Sequence, residues 1–140
     1  MGSSAGESSI DSFIIFLDEN HCRNPHLLQT LEDASVRFES HLKHFEPGTE
    51  DTAWLPEVGR NGWCLLTTDK RIRKRPLERE AVRVHAIRMF YFSTNSVSGP
   101  EMGNALRKAL PRMKQLFLQQ PPPFTASINR SGDVALKDDF

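Results

Sequence analysis

The chain has 140 residues, of which 38 % are hydrophobic and 26 % charged, and its eighteen acids balance its eighteen bases. This is the composition of an ordinary globular domain, long enough to bury about two thirds of its unfolded surface and too short for a second independent core. It excludes a membrane protein, because no apolar run approaches the roughly 18 residues that a spanning helix needs, and a disulfide scaffold, because Cys22 and Cys64 are the only cysteines. Residues 1–9 have no basic start and no apolar stretch, so they read as a disordered leader rather than a signal peptide. The domain is then expected over residues 10–140, in the cytoplasm, with both cysteines reduced.

Phe13-Ile14-Ile15-Phe16-Leu17 is continuous and apolar, the pattern of a strand buried on both faces of a parallel sheet. It runs directly into Asp18-Glu19-Asn20, which a buried strand would not carry in its middle. Pro25 suits the first turn of a helix that Leu27, Leu28 and Leu31 continue to about Ala34. Residues 36–45 alternate weakly, as a strand with a loop behind it, and Pro47-Gly48 make a turn. Thr49 or Asp51 caps the next helix, which carries Trp54, Leu55 and Val58 on one face. Pro56 has to lie in its first turn or kink it, and Asn61-Gly62 closes it. Trp63-Cys64-Leu65-Leu66-Thr67-Thr68 is a second buried strand, delivered onto Asp69. Pro76 opens a helix to about His85, and residues 87–92 form a third strand. The longest helical pattern spans residues 101–119, with Met102, Leu106, Leu110, Met113, Leu116 and Phe117 inward and Pro111 kinking or splitting it. Pro121-Pro122-Pro123 ends it, and residues 124–136 predict a hairpin turning around Ser131-Gly132-Asp133.

Strands alternating with helices imply an α/β fold with a mainly parallel sheet and right-handed crossovers. In such sheets the groups at the carboxyl ends of the strands meet in one crevice. Asp18 follows the first strand and Asp69 the second, while Glu50 and Asp51 start the helix between them at the same end of the sheet. Carboxylates converging there repel one another unless a cation neutralises them. Oxygen-only ligands favour Mg2+ or Mn2+, which can polarise a phosphodiester and supply a water as nucleophile.

The zero net charge hides a segregation: residues 1–57 carry eleven acids and three bases, residues 58–132 fourteen bases and four acids. The densest run, Lys70-Arg71-Ile72-Arg73-Lys74-Arg75, begins one residue after Asp69, and Arg107, Lys108, Arg112 and Lys114 form another cluster. A polyanionic ligand held beside an acidic, metal-attracting centre accounts for this division, and so do surface salt bridges between the two halves.

Each feature also has a plain structural reading. A lone Asp after a strand is ordinarily a turn residue or a helix cap, and it is the two such acids together with a third on the intervening helix that weigh against this. Glu19 should point away from Asp18, as a supporting or exposed charge. Of Glu50 and Asp51, one would be a ligand and the other a helix-dipole partner. Thr67 or Thr68 would hydrogen-bond the Asp69 carboxylate or merely fill a strand position. Arg79 and Arg83, four residues apart, read as a solvated helix face. A zinc site built from His41, His44 and Cys22 or His21 matches no common spacing, and Cys64 lies in an apolar strand where burial is expected. The chain has no glycine-rich phosphate loop and no nucleophile elbow. Trp54, Trp63 and the phenylalanines lie at core spacing.

Phe-Leu-Asp-Glu-Asn at 16–20, Glu-Asp at 50–51 and Gly-Trp-Cys-Leu-Leu-Thr-Thr-Asp-Lys at 62–70 together resemble a PIN-like domain. Within that superfamily they are most similar to the branch holding the Mut7-C and VapC45-like proteins, where Asp-Glu-Asn begins the site and a helix starting with Asp leads into a strand ending Thr-x-Asp. The resemblance covers about residues 13–93. It implies a three-layer α/β/α sandwich and a Mg2+- or Mn2+-dependent ribonuclease, many relatives being toxins neutralised by a cognate antitoxin and often dimeric. Carried over residue by residue, Asp18, Asp51 and Asp69 match the catalytic, metal-binding acids, and Thr67 matches the Thr of Thr-x-Asp. Glu19, Asn20 and Glu50 would support them.

The sequence departs from the family in one respect. Many PIN domains place a fourth acid shortly after the third, and residues 70–75 contain none. Either three carboxylates suffice with help from Glu50 or Glu19, or the site binds metal weakly. The expectation is an endoribonuclease toxin with an RNA substrate, an antitoxin partner, a homodimer as an open option and no membrane association. Lys70, Arg71 and Arg73 would grip phosphates, so activity should fall with added salt. The alternatives are a PIN-like RNA- or protein-binding module without catalysis and a receiver-like phospho-acceptor domain, in which the basic run has no role.

Overall fold

Residues 9–94 and 97–138 are described by a computed structural model, so the expected leader lies outside the described residues except for Ser9. The apolar run after Phe13 forms β1 (Ile14–Leu17), which pairs in parallel with β2 (Arg37–Ser40) on one side and β3 (Cys64–Thr67) on the other. β3 pairs in parallel with β4 (Arg88–Phe92), β4 with β5 (Phe124–Ile128), and β6 (Val134–Asp138) closes the edge antiparallel to β5. The order is β2-β1-β3-β4-β5-β6, a mainly parallel sheet ending in the expected hairpin.

Both sheet faces are covered, which is why the central strands are apolar throughout instead of alternating. Ile15, Leu17, Leu66, Phe90 and Ala126 face α1 (Pro25–Asp33) and α6 (Gly99–Gln119). Phe16, Leu65, Met89 and Tyr91 face α3 (Asp51–Asn61), α4 (Lys70–Lys74) and α5 (Pro76–Val84). The result is a three-layer α/β/α sandwich. Phe16 is fully buried and stacks on Trp63, ring centroids 5.4 Å apart, with Trp54 at 5.5 Å. Burial of a side chain this size contributes roughly 1.5–3 kcal/mol.

Several local expectations change. Glu50 is the N-cap of α3 and makes no side-chain capping bond, so neither Thr49 nor Asp51 is the cap; Asp51 is the first helical residue. Pro56 lies in the second turn of α3, beyond the first turn. The weak alternation over residues 36–45 resolves into the short β2 followed by α2 (His41–His44), because Phe38 and Leu42 pack into the core on a chain that turns at Ser40. The longest helix starts at Gly99, where Ser98 and Glu101 form a reciprocal capping box, and it runs unbroken through Pro111. Arg79 is no freely solvated side chain: its Nη1 bonds Asp138 Oδ2 at 3.0 Å and ties α5 to β6. Cys22 and Cys64 are both free and buried. No helix among the described residues is long and apolar enough to cross a membrane.

Gly59 is where α3 meets the end of α5. A Cβ there would overlap the His85 carbonyl oxygen and stand 2.8 Å from the His85 Cβ, and the backbone oxygen has no rotamer by which to retreat. Gly59→Ala is therefore expected to destabilise the fold by about 2 kcal/mol despite the better helix propensity of alanine. Chemical denaturation would show this as a lower midpoint at unchanged slope.

Candidate functional site

The site follows from the register of two neighbouring strands. Leu17 pairs with Leu66, so the next residues, Asp18 and Thr67, stand side by side. Leu17 and Leu66 face α1 and α6, so alternation turns Asp18 and Thr67 towards α3 and α5. The Thr67 hydroxyl donates to Asp18 Oδ2 and accepts the Asp69 backbone N–H at 2.9 Å. The threonine thus serves the Asp18 carboxylate and not, as the sequence suggested, that of Asp69. Thr68 instead pairs with His21 Nε2 at 2.7 Å.

Asp69 caps α4, its Oδ1 accepting the Arg71 backbone N–H at 2.9 Å. The Arg71 side chain then folds back on the same carboxylate, with Nε 3.0 Å from Oδ1 and Nη2 2.8 Å from Oδ2. Asp51 approaches from the first turn of α3. Glu19 turns to the neighbouring loop, where its Oε1 accepts the Gly48 N–H at 3.0 Å.

Asp18, Asp51 and Asp69 line one cleft of about 290 Å³ at the carboxyl ends of β1 and β3, together with Glu19, Asn20 and Glu50. Thr67 lies beneath it, fully buried. Of the basic run, Arg71 and Arg75 line the cleft, whereas Arg73 stacks over the Tyr91 ring at 4.0 Å and is not brought into it. The Lys70 side chain lies outside the described residues.

Among the charged lining residues the sequence reading missed Glu78 and singled out Arg75 only as the end of the basic run, and Gly48, Thr49 and Trp54 line the cleft as well. Glu78 sits in the first turn of α5 with its side chain 14 % exposed, as Asp51 sits in the first turn of α3. The available signal was Pro76, which marks a helix start at the same end of the sheet, two residues before a carboxylate. Glu78 thus brings to the cleft a carboxylate that residues 70–75 do not supply.

The acids do not share one electrostatic state. Burial, reinforced by the charges of Asp69 and Asp51, pushes the Asp18 carboxyl up to about 7 against the lowering effect of Thr67. Burial also raises Asp51, with the charges of Asp69 and Glu78 adding to it. Asp69 is lowered, first of all by its hydrogen bonds from Arg71. Asp18 is 4 % exposed, and its Oδ1 has no hydrogen-bond partner among the described residues. A buried carboxylate oxygen with no donor, facing a cleft of further carboxylates, fits a hard divalent cation as its missing partner. As the side chains stand, however, no three His, Cys, Asp or Glu among the described residues are gathered into a group that could hold a metal ion.

The fold and this cleft define a class: a three-layer α/β/α protein with carboxylates at the ends of adjacent parallel strands and arginines at the rim. A family described as a PIN like domain matches residues 14–94, and the chain belongs to that family. The matched region runs from β1 past β4 and includes every residue named above as lining the cleft. The fold is accordingly of the nuclease type. No curated protein and no solved structure matches the chain.

Proposed function

We propose that the protein is a metal-dependent endoribonuclease of the Mut7-C and VapC45-like branch, acting in the cytoplasm as the toxin of a toxin–antitoxin pair and folding as one PIN-like domain over residues 10–140. The observation that carries the catalytic reading is Asp18, a buried carboxylate with an unpartnered oxygen that shares its cleft with Asp51 and Asp69. The toxin assignment, with its antitoxin partner and homodimer, rests on the resemblance of the Asp-Glu-Asn and Thr-Thr-Asp segments.

In this reading Asp18, Asp51 and Asp69 hold Mg2+ or Mn2+, with Glu78 contributing charge from the opposite helix. Held there, a divalent ion would supply polarisation of a phosphodiester and a coordinated water that gives up its proton readily enough for the hydroxide to attack phosphorus near neutral pH. Thr67 fixes the rotamer of Asp18 through its hydrogen bond to Oδ2, leaving Oδ1 as the free ligand atom. Glu19 anchors the loop at Gly48 that leads into α3, and so positions Glu50 and Asp51. Arg71 and Arg75, with Lys70 beside them in sequence, supply positive charge for the flanking phosphates.

A second reading has one observation in its favour. Asp69 is occupied by Arg71, and among the described residues no metal-holding group is assembled, as would suit an RNA- or protein-binding module without catalysis. The two are separated by incubating a mixed RNA pool with Mn2+ or Mg2+, with EDTA, and with an identically purified Asp69→Asn protein. The nuclease shows metal-dependent cleavage that the folded variant loses. Equal cleavage by both proteins, or none with any metal, leaves the binding module.

A further inference from the structure

Arg71 makes the tightest set of contacts in the cleft, and it makes them to a carboxylate that the proposed chemistry requires for something else. Its guanidinium forms a fork on both oxygens of Asp69, whose side chain is only 11 % exposed, while the arginine itself is 56 % exposed and reaches in from the rim. A planar fork of this kind is strong and geometrically specific, and it occupies both oxygen atoms at once. Asp18 and Asp51, the two neighbours, have no such fork; both are pushed up by burial and by the charge of Asp69, with the Arg71 charge working the other way on Asp51. The cleft is thus lined by six carboxylates and two arginines, of which only Arg71 makes a fork on a carboxylate among the described contacts, and no group able to hold a metal is assembled among the described residues.

We propose that Arg71 is an exchangeable internal cation: it neutralises Asp69 until a divalent ion takes its place, and the guanidinium so released becomes a phosphate contact for the substrate. This rests on the nuclease reading and adds to it an order and a coupling. The fork and the Arg71 backbone N–H together place two donors on each oxygen of Asp69 and fill its lone-pair sites, so loading the cleft frees the Arg71 side chain. The freed side chain sits on a helix of five residues directly after Asp69, within reach of a phosphate brought to the same cleft. Coupling of this kind is reciprocal. A phosphate that draws Arg71 away leaves Asp69 without a partner and tightens binding of the ion. The exchange puts a doubly charged ion where a singly charged guanidinium was, and the further negative charge it needs is supplied by Asp18 and Asp51 in the same cleft. Arg75 is the natural contrast. It lines the same cleft, but its nearest acid is Glu78 at 3.9 Å, and among the described contacts it makes no fork on a proposed ligand.

The test is a titration with Mn2+ alone, in the absence of RNA, followed by calorimetry or by the electron paramagnetic resonance of free Mn2+. Wild type, Arg71→Ala, Arg71→Lys and Arg75→Ala are compared, with melting in EDTA to show that each is folded. Arg71→Ala is expected to bind Mn2+ about tenfold more tightly than wild type, the size of one charge-assisted contact. Arg71→Lys keeps the charge and loses the fork, so it should also bind several-fold more tightly. Arg75→Ala removes only a nearby field and should change affinity about twofold. Equal affinities for wild type and both Arg71 variants overturn the exchange. So does an Arg75→Ala effect as large as that of Arg71→Ala, which reduces Arg71 to background charge. Absence of Mn2+ binding in all four proteins overturns the acidic metal site itself and the exchange with it, an outcome distinct from equal, measurable affinities.

Discussion

Replacing Asp18 with asparagine is expected to raise the melting temperature in EDTA at pH 7.5 by on the order of 10 °C while abolishing metal-dependent RNA cleavage. Burial lifts the Asp18 carboxyl from its ordinary 3.8 to about 7, a difference of about 4 kcal/mol between its neutral and charged forms. Between those two values the folded protein binds the proton more tightly than the unfolded chain. The stability this proton contributes is fully present below pH 3.8 and is lost as pH rises through 7. The wild-type melting temperature in EDTA should therefore fall, relative to the Asp18→Asn protein, over that window and run parallel to it above. Added Mn2+ should stabilise the wild type and leave the variant unmoved. A variant that melts with the wild type across the whole range would remove the strained carboxylate from the account.

Glu78→Gln is expected to lower cleavage at limiting Mn2+ by about 10- to 100-fold, with activity recovering as Mn2+ is raised. The side chain lines the cleft from the first turn of α5 and its charge bears on Asp51, so its loss weakens attraction for a cation without removing one of the three proposed ligands. The fold should not suffer, because one source of repulsion on Asp51 disappears. Glu80, two residues along the same helix, supplies the comparison. It is exposed, pairs with Arg83 and lies away from the cleft, and Glu80→Gln should cleave as wild type at every Mn2+ concentration. Indistinguishable curves for the two variants would show that Glu78 is no part of the site.

What the sequence made legible was the scaffold and the strand-borne half of the site. The runs ending at Leu17 and Thr67 are apolar because both sheet faces are covered, and the acids that follow them are polar because the sheet ends there. Asp51 was readable because a helix start stands between two strands. Glu78 was not, since it occupies an ordinary first-turn position where an acid also suits the helix dipole. Nor was the division of labour among the arginines readable. A basic run looks uniform as text, but a helix of five residues points Arg71 at Asp69 and Arg73 at Tyr91, and Arg75, at the junction with α5, lines the cleft. The partner of Thr67 was likewise hidden, because it depends on the register between β1 and β3, which no local pattern records.

Asp51 and Glu78 belong to α3 and α5, and the backbone of α3 comes against the backbone at the far end of α5, where Gly59 meets His85. Gly59 is eight residues beyond Asp51, about 12 Å along the helix axis. The pair works like tweezers joined at the heel, with a carboxylate at each tip. The gap between the tips then depends on how closely the arms meet at the heel. A methyl group at Gly59 is then a wedge driven into the heel, and its effect travels down two rigid arms. Gly59→Ala should consequently weaken Mn2+ binding as well as folding, although it alters no charge and lies about 12 Å along the helix from Asp51.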